Sequence, residues 1–298
     1  MNARYACFCE LGDLLGASDF LRETRHHLHR NPELSFQEVA ISALVAERLD
    51  EWGYDVTRHV GGHGVVGTLK AGDGARSVAV RADMDALPIT EESTTPHASR
   101  VAGTMHACGH DGHTTMLLGA AQQLAATRRF SGTVHLVFQP AEEAGEGSGA
   151  QRMLADGLFE RFPCDAIFGL HNHPGYPAGT FMFGTGPFMS ASDTARIVVR
   201  GRGGHAARPH LAVDPVLIAG SLIMALQTVV SRNIDPTQTA IVTVGAVHAG
   251  VAANVIPESA TLELSIRSFD AAVRDTLQQR ITELVTAHVQ GYGGTVEI

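Results

Sequence analysis

The sequence predicts an α/β protein: a mainly parallel-sheet domain followed by a smaller domain of βαββαβ order. Three observations carry this. Short apolar, β-branched segments recur near residues 65–69, 78–82, 134–138 and 166–170, and a helix-like stretch, 114–126, separates the second from the third; such alternation is the signature of a parallel sheet with crossover helices. A glycine-rich stretch near 184–192 reads as a linker. Beyond it, strand 196–200, helix 215–231, strands 240–247 and 260–268, helix 271–289 and a strand near Thr295 follow in order, the split-βαβ arrangement.

Taken in order, the elements justify themselves locally. Ser35-Phe36-Gln37-Glu38 has the form of a capping box, Ile41, Leu44, Val45, Leu49 and Trp52 then recur at helical spacing, and Gly53 can close the helix. The four apolar segments after it are too short for helices, and the first three are rich in valine. Chemistry-bearing residues come directly after them: Asp83 and Asp85 after the second, Glu142 and Glu143 after the third, His171 after the fourth. Open α/β sheets gather their sites at the carboxyl ends of strands, so these groups are expected on one edge. The domains are expected at 1–187 and 188–298.

Composition narrows the function. The 298 residues suffice for two cores, 44% are hydrophobic and 18% charged, and the net charge of −9 disfavours nucleic acid and anionic membranes as partners. A small-molecule substrate is expected instead. Four cysteines, Cys7, Cys9, Cys108 and Cys164, do not make a disulfide framework in a chain of this size. Cys108 reads as a thiolate ligand and the others as inert. The N-terminal residues lack a basic region followed by a sustained apolar stretch, so a cytoplasmic protein is expected. The apolar run 216–230 is interrupted by Ser221 and Gln227 and reads as a buried or interface helix. The glycines at 145–149 do not form a dinucleotide fingerprint.

The densest chemistry is His106-Ala107-Cys108-Gly109-His110-Asp111-Gly112-His113, which holds one thiol, three imidazoles and a carboxylate. These donors suit zinc, and manganese, cobalt or nickel can share the oxygen and nitrogen positions. Two divalent ions can clamp a carbonyl oxygen and activate water, but a pair needs more ligands than one loop supplies. Cys108, His110, Glu143 and His171 are the candidate metal ligands. Glu142, beside a ligand but free of that duty, is the candidate general base and later acid. His106 and His113 are expected as supports or core residues, and His26, His27 and His29 as solvated or packed groups on a helix.

The stretches RHHLHRNPELSFQE, RADMDALP, MHACGHDGH, FQPAEE, GLHNHP, GGHAARPH and NVIPESATLELSIRSFD together resemble the metal-dependent amidohydrolases typified by hippurate hydrolase and the indole-acetyl-amino-acid hydrolases, within the wider aminoacylase and carboxypeptidase family. The resemblance runs from about residue 20 to the end. It implies a zinc-peptidase-like catalytic domain with two divalent ions, manganese or zinc, an inserted lid domain that forms a homodimer, and cleavage of N-acyl amino acids to an acid and an amino acid. A dipeptidase or N-deacetylase of the same family is the alternative.

Residue by residue, the resemblance repeats the ligand set above and adds Asp85 as the aspartate that orients a neighbouring ligand. Asp83 stands where the wider family usually carries a metal-binding histidine, so no direct metal role is expected of it. His205 matches a histidine that reaches the partner subunit's site and stabilises the anionic intermediate. Asn254 and Arg267 match positions that hold a substrate carboxylate. Relatives return to the catalytic domain after the lid and add a final histidine ligand in a His-Ser-Pro-like context. No such motif is present here, so the expectation is a catalytic domain lacking its last stretch and one ligand, either active or reduced to a metal-binding or dimerisation module.

Overall fold

A computed structural model describes residues 11–298. The chain divides into two compact units, one ending at Tyr176 and the next beginning at Pro177. Cys7 and Cys9 lie outside the described residues.

The first unit runs α1 (Leu11–Arg30), α2 (Val39–Glu51), β1 (Asp55–Val60), β2 (Gly64–Ala71), β3 (Ser77–Asp83), α3 (His110–Thr127), β4 (Gly132–Gln139), α4 (Gly149–Ala155), α5 (Leu158–Arg161) and β5 (Ala166–Gly169). Its sheet has the order β1-β2-β4-β3-β5. The α/β class expected from the sequence is observed. Parallel pairing is confined to β3 with β4 and β3 with β5, whereas β1–β2 and β2–β4 are antiparallel, so the sheet is mixed. The antiparallel part begins with β1, an edge strand that the sequence does not announce. Its DVTRHV pattern is largely exposed, and a tight turn containing Gly61 and Gly62 at positive φ folds it back on β2.

Strand β4 shows how the two faces are filled. Val134, Leu136 and Phe138 join Leu28, Val45, Leu49, Leu117 and Leu118 from the three long helices, while Val137 on the other face packs with Val66, Met153 and Leu158.

The start of α2 departs from the expected capping box. Its first N–H groups are capped by Glu33, whose carboxylate accepts from Ala40 N and Ile41 N, both at 2.9 Å. Ser35 and Glu38 are recruited by distant partners: Ser35 Oγ donates to Asp85 Oδ2 at 2.7 Å, and Glu38 Oε1 accepts from Ala141 N at 2.6 Å. At the other end Gly53, at φ +79°, closes the helix as expected.

The second unit runs β6 (Ala191–Arg200), β7 (Gly204–His205), a short 3₁₀ turn (Pro209–Leu211), α6 (Pro215–Asn233), β8 (Ala240–Ala249), β9 (Val255–Ile256), β10 (Ser259–Ser268), α7 (Ala271–Gly291) and β11 (Thr295–Glu297). Its main sheet, β11-β6-β10-β8, is antiparallel throughout. The βαββαβ order is as read from the sequence, with the two-residue ribbon β7–β9 added. Along β10 alternate residues Ala260, Leu262, Leu264 and Ile266 are buried, and they meet Leu222 and Leu226 of α6 and Leu277 and Ile281 of α7. Both helices begin on an aspartate cap: Asp214 accepts from Val216 N and Leu217 N, and Asp270 from Ala272 N and Val273 N. Helix α6 is long and apolar enough to cross a membrane, at mean hydropathy 1.5; Ile218, Ala219, Leu222, Leu226 and Val229 bury one side of it in the unit's core.

Candidate metal centre

Strands β3, β4 and β5 are mutually parallel, so the segments leaving their carboxyl ends meet at one edge of the sheet. Asp83 ends β3 and Asp85 lies just beyond it, the Pro140–Glu143 turn leaves β4, and His171 and Asn172 leave β5. The loop bearing Cys108 reaches the same edge and turns into α3, whose first residue is His110. Gly109 makes that turn with φ +98°, and a Cβ there would sit 2.5 Å from Asn172 Oδ1. Only glycine allows the 108–110 segment and the 171–172 segment to approach so closely.

The donors converge on His110. Cys108 Sγ lies 3.5 Å from His171 Nε2, and His110 Nε2 lies 3.8 Å from Glu143 Oε1, 4.0 Å from Glu142 Oε2 and 3.7 Å from Asp83 Oδ2. Three sets of donor atoms lie close enough to share an ion: Cys108, His110 and His171; His110, Glu142 and Glu143; and Asp83, His110 and His113. The other face of the His110 ring is fixed. Its Nδ1 lies 2.8 Å from Asp85 O and 3.2 Å from Asp85 Oδ1, which leaves Nε2 as the lone-pair nitrogen facing the cluster. That Nε2 is buried and has no hydrogen-bond partner. A buried imidazole nitrogen seldom stays unpaired, and here it is ringed by thiol and carboxylate donors, so the residues present fit a divalent cation.

Electrostatics point the same way. Burial, reinforced by Glu143, Asp83 and Glu142, pushes the Cys108 thiol up to about 12. Burial and the neighbouring Glu143 and Asp83 also raise Glu142. Burial opposes a charge on His110, but its hydrogen bond to Asp85 and the charges of Asp83, Asp85 and Glu143 outweigh it and raise that group. The site is thus a concentration of negative charge that a cation would relieve; a coordinating thiol is then deprotonated outright.

Asp83 is already committed. It pairs with Arg81 Nη1 at 2.7 Å and with His113 Nδ1 at 2.6 Å, and His113 in turn contacts Asn172, whose backbone N donates to His113 Nε2 at 3.0 Å. His113 is thus the support expected of it, and Asp83 is paired to it; Asn172 and Arg81 are not singled out by the sequence, their signal being only that they flank the expected groups. His106 is buried and its pKa falls to about 4 through burial, the behaviour of a neutral core imidazole. His29, also buried, bonds Asp111 at 2.9 Å, and His26 stacks on His97.

His205, Asn254 and Arg267 belong to the second unit. His205 is exposed on β7, its Nδ1 accepts from Ala207 N at 3.1 Å, and Ala206 N donates to Asn254 O at 3.0 Å, so the His205 and Asn254 segments adjoin. Arg267 does not join them within the unit. It lies eight residues along β10 from Ser259, roughly 27 Å at about 3.4 Å per residue.

The model of the Peptidase family M20/M25/M40 matches residues 79–295. The chain belongs to that family. The M20-family chain is 46% identical to a hippurate hydrolase of Campylobacter jejuni over 92% of its own length and 70% of the relative's. It is 43% identical to an N-acetyl-L-cysteine deacetylase of Bacillus subtilis, over 88% of this chain and 63% of that one. Among solved structures it resembles a dinuclear metal-binding M20 peptidase of B. subtilis, with a TM-score of 0.77, 35% identity and coverage of 95% of this chain and 73% of that one. The resemblance read from the sequence is therefore correct, and the M20-family chain is a metal-dependent amidohydrolase.

Proposed function

We propose that this chain hydrolyses the amide bond of N-acyl amino acids of the hippurate type, releasing a carboxylic acid and an amino acid. The observation that carries the reading is the buried, unpaired His110 Nε2, which shares one group of donors with the Glu142 and Glu143 carboxylates and another with Cys108 and His171. Cys108, His110, Glu143 and His171 hold the metal, and Asp85 keeps the His110 ring in register. When bound, two divalent ions, manganese or zinc, polarise the amide carbonyl and acidify water.

Glu142 takes the proton from the attacking water and returns it to the leaving amine, so that the amine departs neutral. The first unit serves as the catalytic domain and the second, whose boundary falls at Pro177 rather than at the expected 188, as the lid through which two chains pair. The unpaired edge of β8 and the exposed Leu217 and Met224 of α6 supply the apolar, hydrogen-bonding surface for that pairing. His205 stabilises the oxyanion in the partner's site, and Asn254 and Arg267, which lie apart within one unit, each offer a group that can hold a substrate carboxylate.

The test is a panel of hippurate and N-acetyl amino acids, including N-acetylcysteine, with manganese or zinc added. Amino acid release from hippurate-like members is expected, and Glu142→Gln should abolish it while leaving bound metal unchanged. Full turnover by that variant would sink the mechanism, and a preference for short acetyl groups would move the substrate toward that of a deacetylase.

A further inference from the structure

The residues that carry Glu142 and Glu143 are held in an unusual shape, and the group that holds them comes from far away in the chain. Ala141, fully buried, has φ +48°, in the left-handed region that residues with side chains rarely adopt. Such a conformation persists only where its surroundings impose it. Its N–H donates to Glu38 Oε1 at 2.6 Å, across 103 residues of sequence, and its carbonyl accepts from Gly149 N at 3.0 Å. Two residues later Glu143 N donates to Asp85 Oδ2 at 3.0 Å. The backbone N–H groups of the two residues that flank Glu142, Ala141 and Glu143, are thus each tied to a buried carboxylate.

We propose that Glu38 is a positioning residue that clamps the Ala141 turn so that Glu142 and Glu143 face one point. The inference rests on the assignment of those two glutamates made above. Consecutive side chains on a regular strand leave on opposite faces. Here both carboxylates come within 4.0 Å of His110 Nε2, which the left-handed turn makes possible. Glu38 itself gains little locally. It caps no helix N–H with its side chain, it is completely buried, and its second oxygen has no hydrogen-bond partner. A desolvated carboxylate whose one hydrogen bond to a distant segment is to the Ala141 N–H is poorly explained as packing, since an apolar side chain would fill the space without that cost. It is explained if the shape of the turn matters.

The acceptor, not the charge, is what the turn needs, so the conservative variant should rescue. In the full chain, Mn²⁺ binding is measured by titration calorimetry for the unaltered protein, Glu38→Gln and Glu38→Met, with kcat and KM on the acyl amino acid panel and Tm recorded alongside. Glu38→Met should weaken Mn²⁺ binding by about 10- to 100-fold, the usual effect of losing a group that orients ligands, and should lower kcat more than it raises KM. Glu38→Gln should stay within about threefold of the unaltered chain. If Glu38→Met does not fold, Glu38→Asp, too short to reach Ala141 N, serves in its place with the same expectation. Tyr54→Phe, which removes the buried hydrogen bond from Tyr54 Oη to Ala121 O, should lower Tm without changing Mn²⁺ affinity.

The proposal is overturned if Glu38→Met or Glu38→Asp binds Mn²⁺ like the unaltered chain, if Glu38→Gln falls as far as they do, or if Tyr54→Phe loses affinity in step with its Tm. Should the unaltered chain bind Mn²⁺ yet cleave no panel member, the substrate reading fails and the affinities still judge Glu38. Absence of Mn²⁺ binding by the unaltered chain overturns both.

Discussion

The two sheets are each packed against helices, but they treat polar residues in opposite ways. In the second unit Ser268 is the only buried polar side chain among the described residues, and β10 alternates cleanly between core and outer face. In the first unit the buried set includes Glu38, Asp83, Asp85, His106, His110, Asp111 and His113, most of them near the carboxyl ends of β3 and β4 or in the loop that enters α3. Burying such groups costs free energy unless they are paired, and several retain an unpaired atom. The second unit keeps its core apolar, whereas the first buries a cluster that includes donors able to share a cation.

That contrast can be broken by experiment. The largest effect on metal binding is expected at His110. A hundredfold excess of Mn²⁺ over its Kd should stabilise the first unit by about 2.7 kcal/mol, and thermal melts of His110→Ala should lose this increment. In the second unit Leu222→Ala should cost about 2–5 kcal/mol by opening a cavity in a fully buried core, while calorimetry finds Mn²⁺ affinity unchanged. Loss of affinity there would mean that the two regions are not separable. Asp214→Ala removes the cap of α6 and should cost about 1 kcal/mol, again read as a Tm change without any effect on metal.

The smallest effect tests burial in the first unit away from the cluster. His135, on β4, has its pKa lowered below 6.5 by burial. A depressed folded pKa means that the unfolded chain takes up the proton first, so stability is intact above about pH 6.5 and is lost as pH falls toward the folded pKa. The Tm of the unaltered protein should drop relative to His135→Gln across that interval and run parallel to it above about pH 7.5. A gap that widens in alkali instead would contradict the sign.

Legibility in the sequence divides along the same line. The second unit is readable because its strands and helices keep strict periods of two and 3.6 residues. The elements that escape there, β7 and β9, are two residues long with no period to detect. In the first unit β3, β4, β5 and α3 are visible as apolar runs, and the rule that sites gather at the carboxyl ends of parallel strands anticipates one edge; Cys108, His110, Glu142, Glu143 and His171 do lie together there. β1 is hidden by its polar, exposed edge position.

Ser35 and Glu38 mislead because a capping box is a local pattern, whereas their partners, Asp85 and Ala141, are 50 and 103 residues away. The mismatch is itself informative: residues suited to a cap are used elsewhere, and Glu33 takes their place. Sequence rules tend to fail where a fold serves its site rather than its stability.

The central claim is that Cys108 and His110 bind metal side by side at the sheet edge. X-ray absorption on the zinc-loaded protein tests it most directly. A sulfur neighbour at about 2.3 Å together with nitrogen and oxygen neighbours at about 2.0–2.2 Å is expected, with the sulfur shell vanishing in Cys108→Ser. A purely nitrogen and oxygen shell in the unaltered chain, or a sulfur shell that survives in Cys108→Ser, would contradict the account.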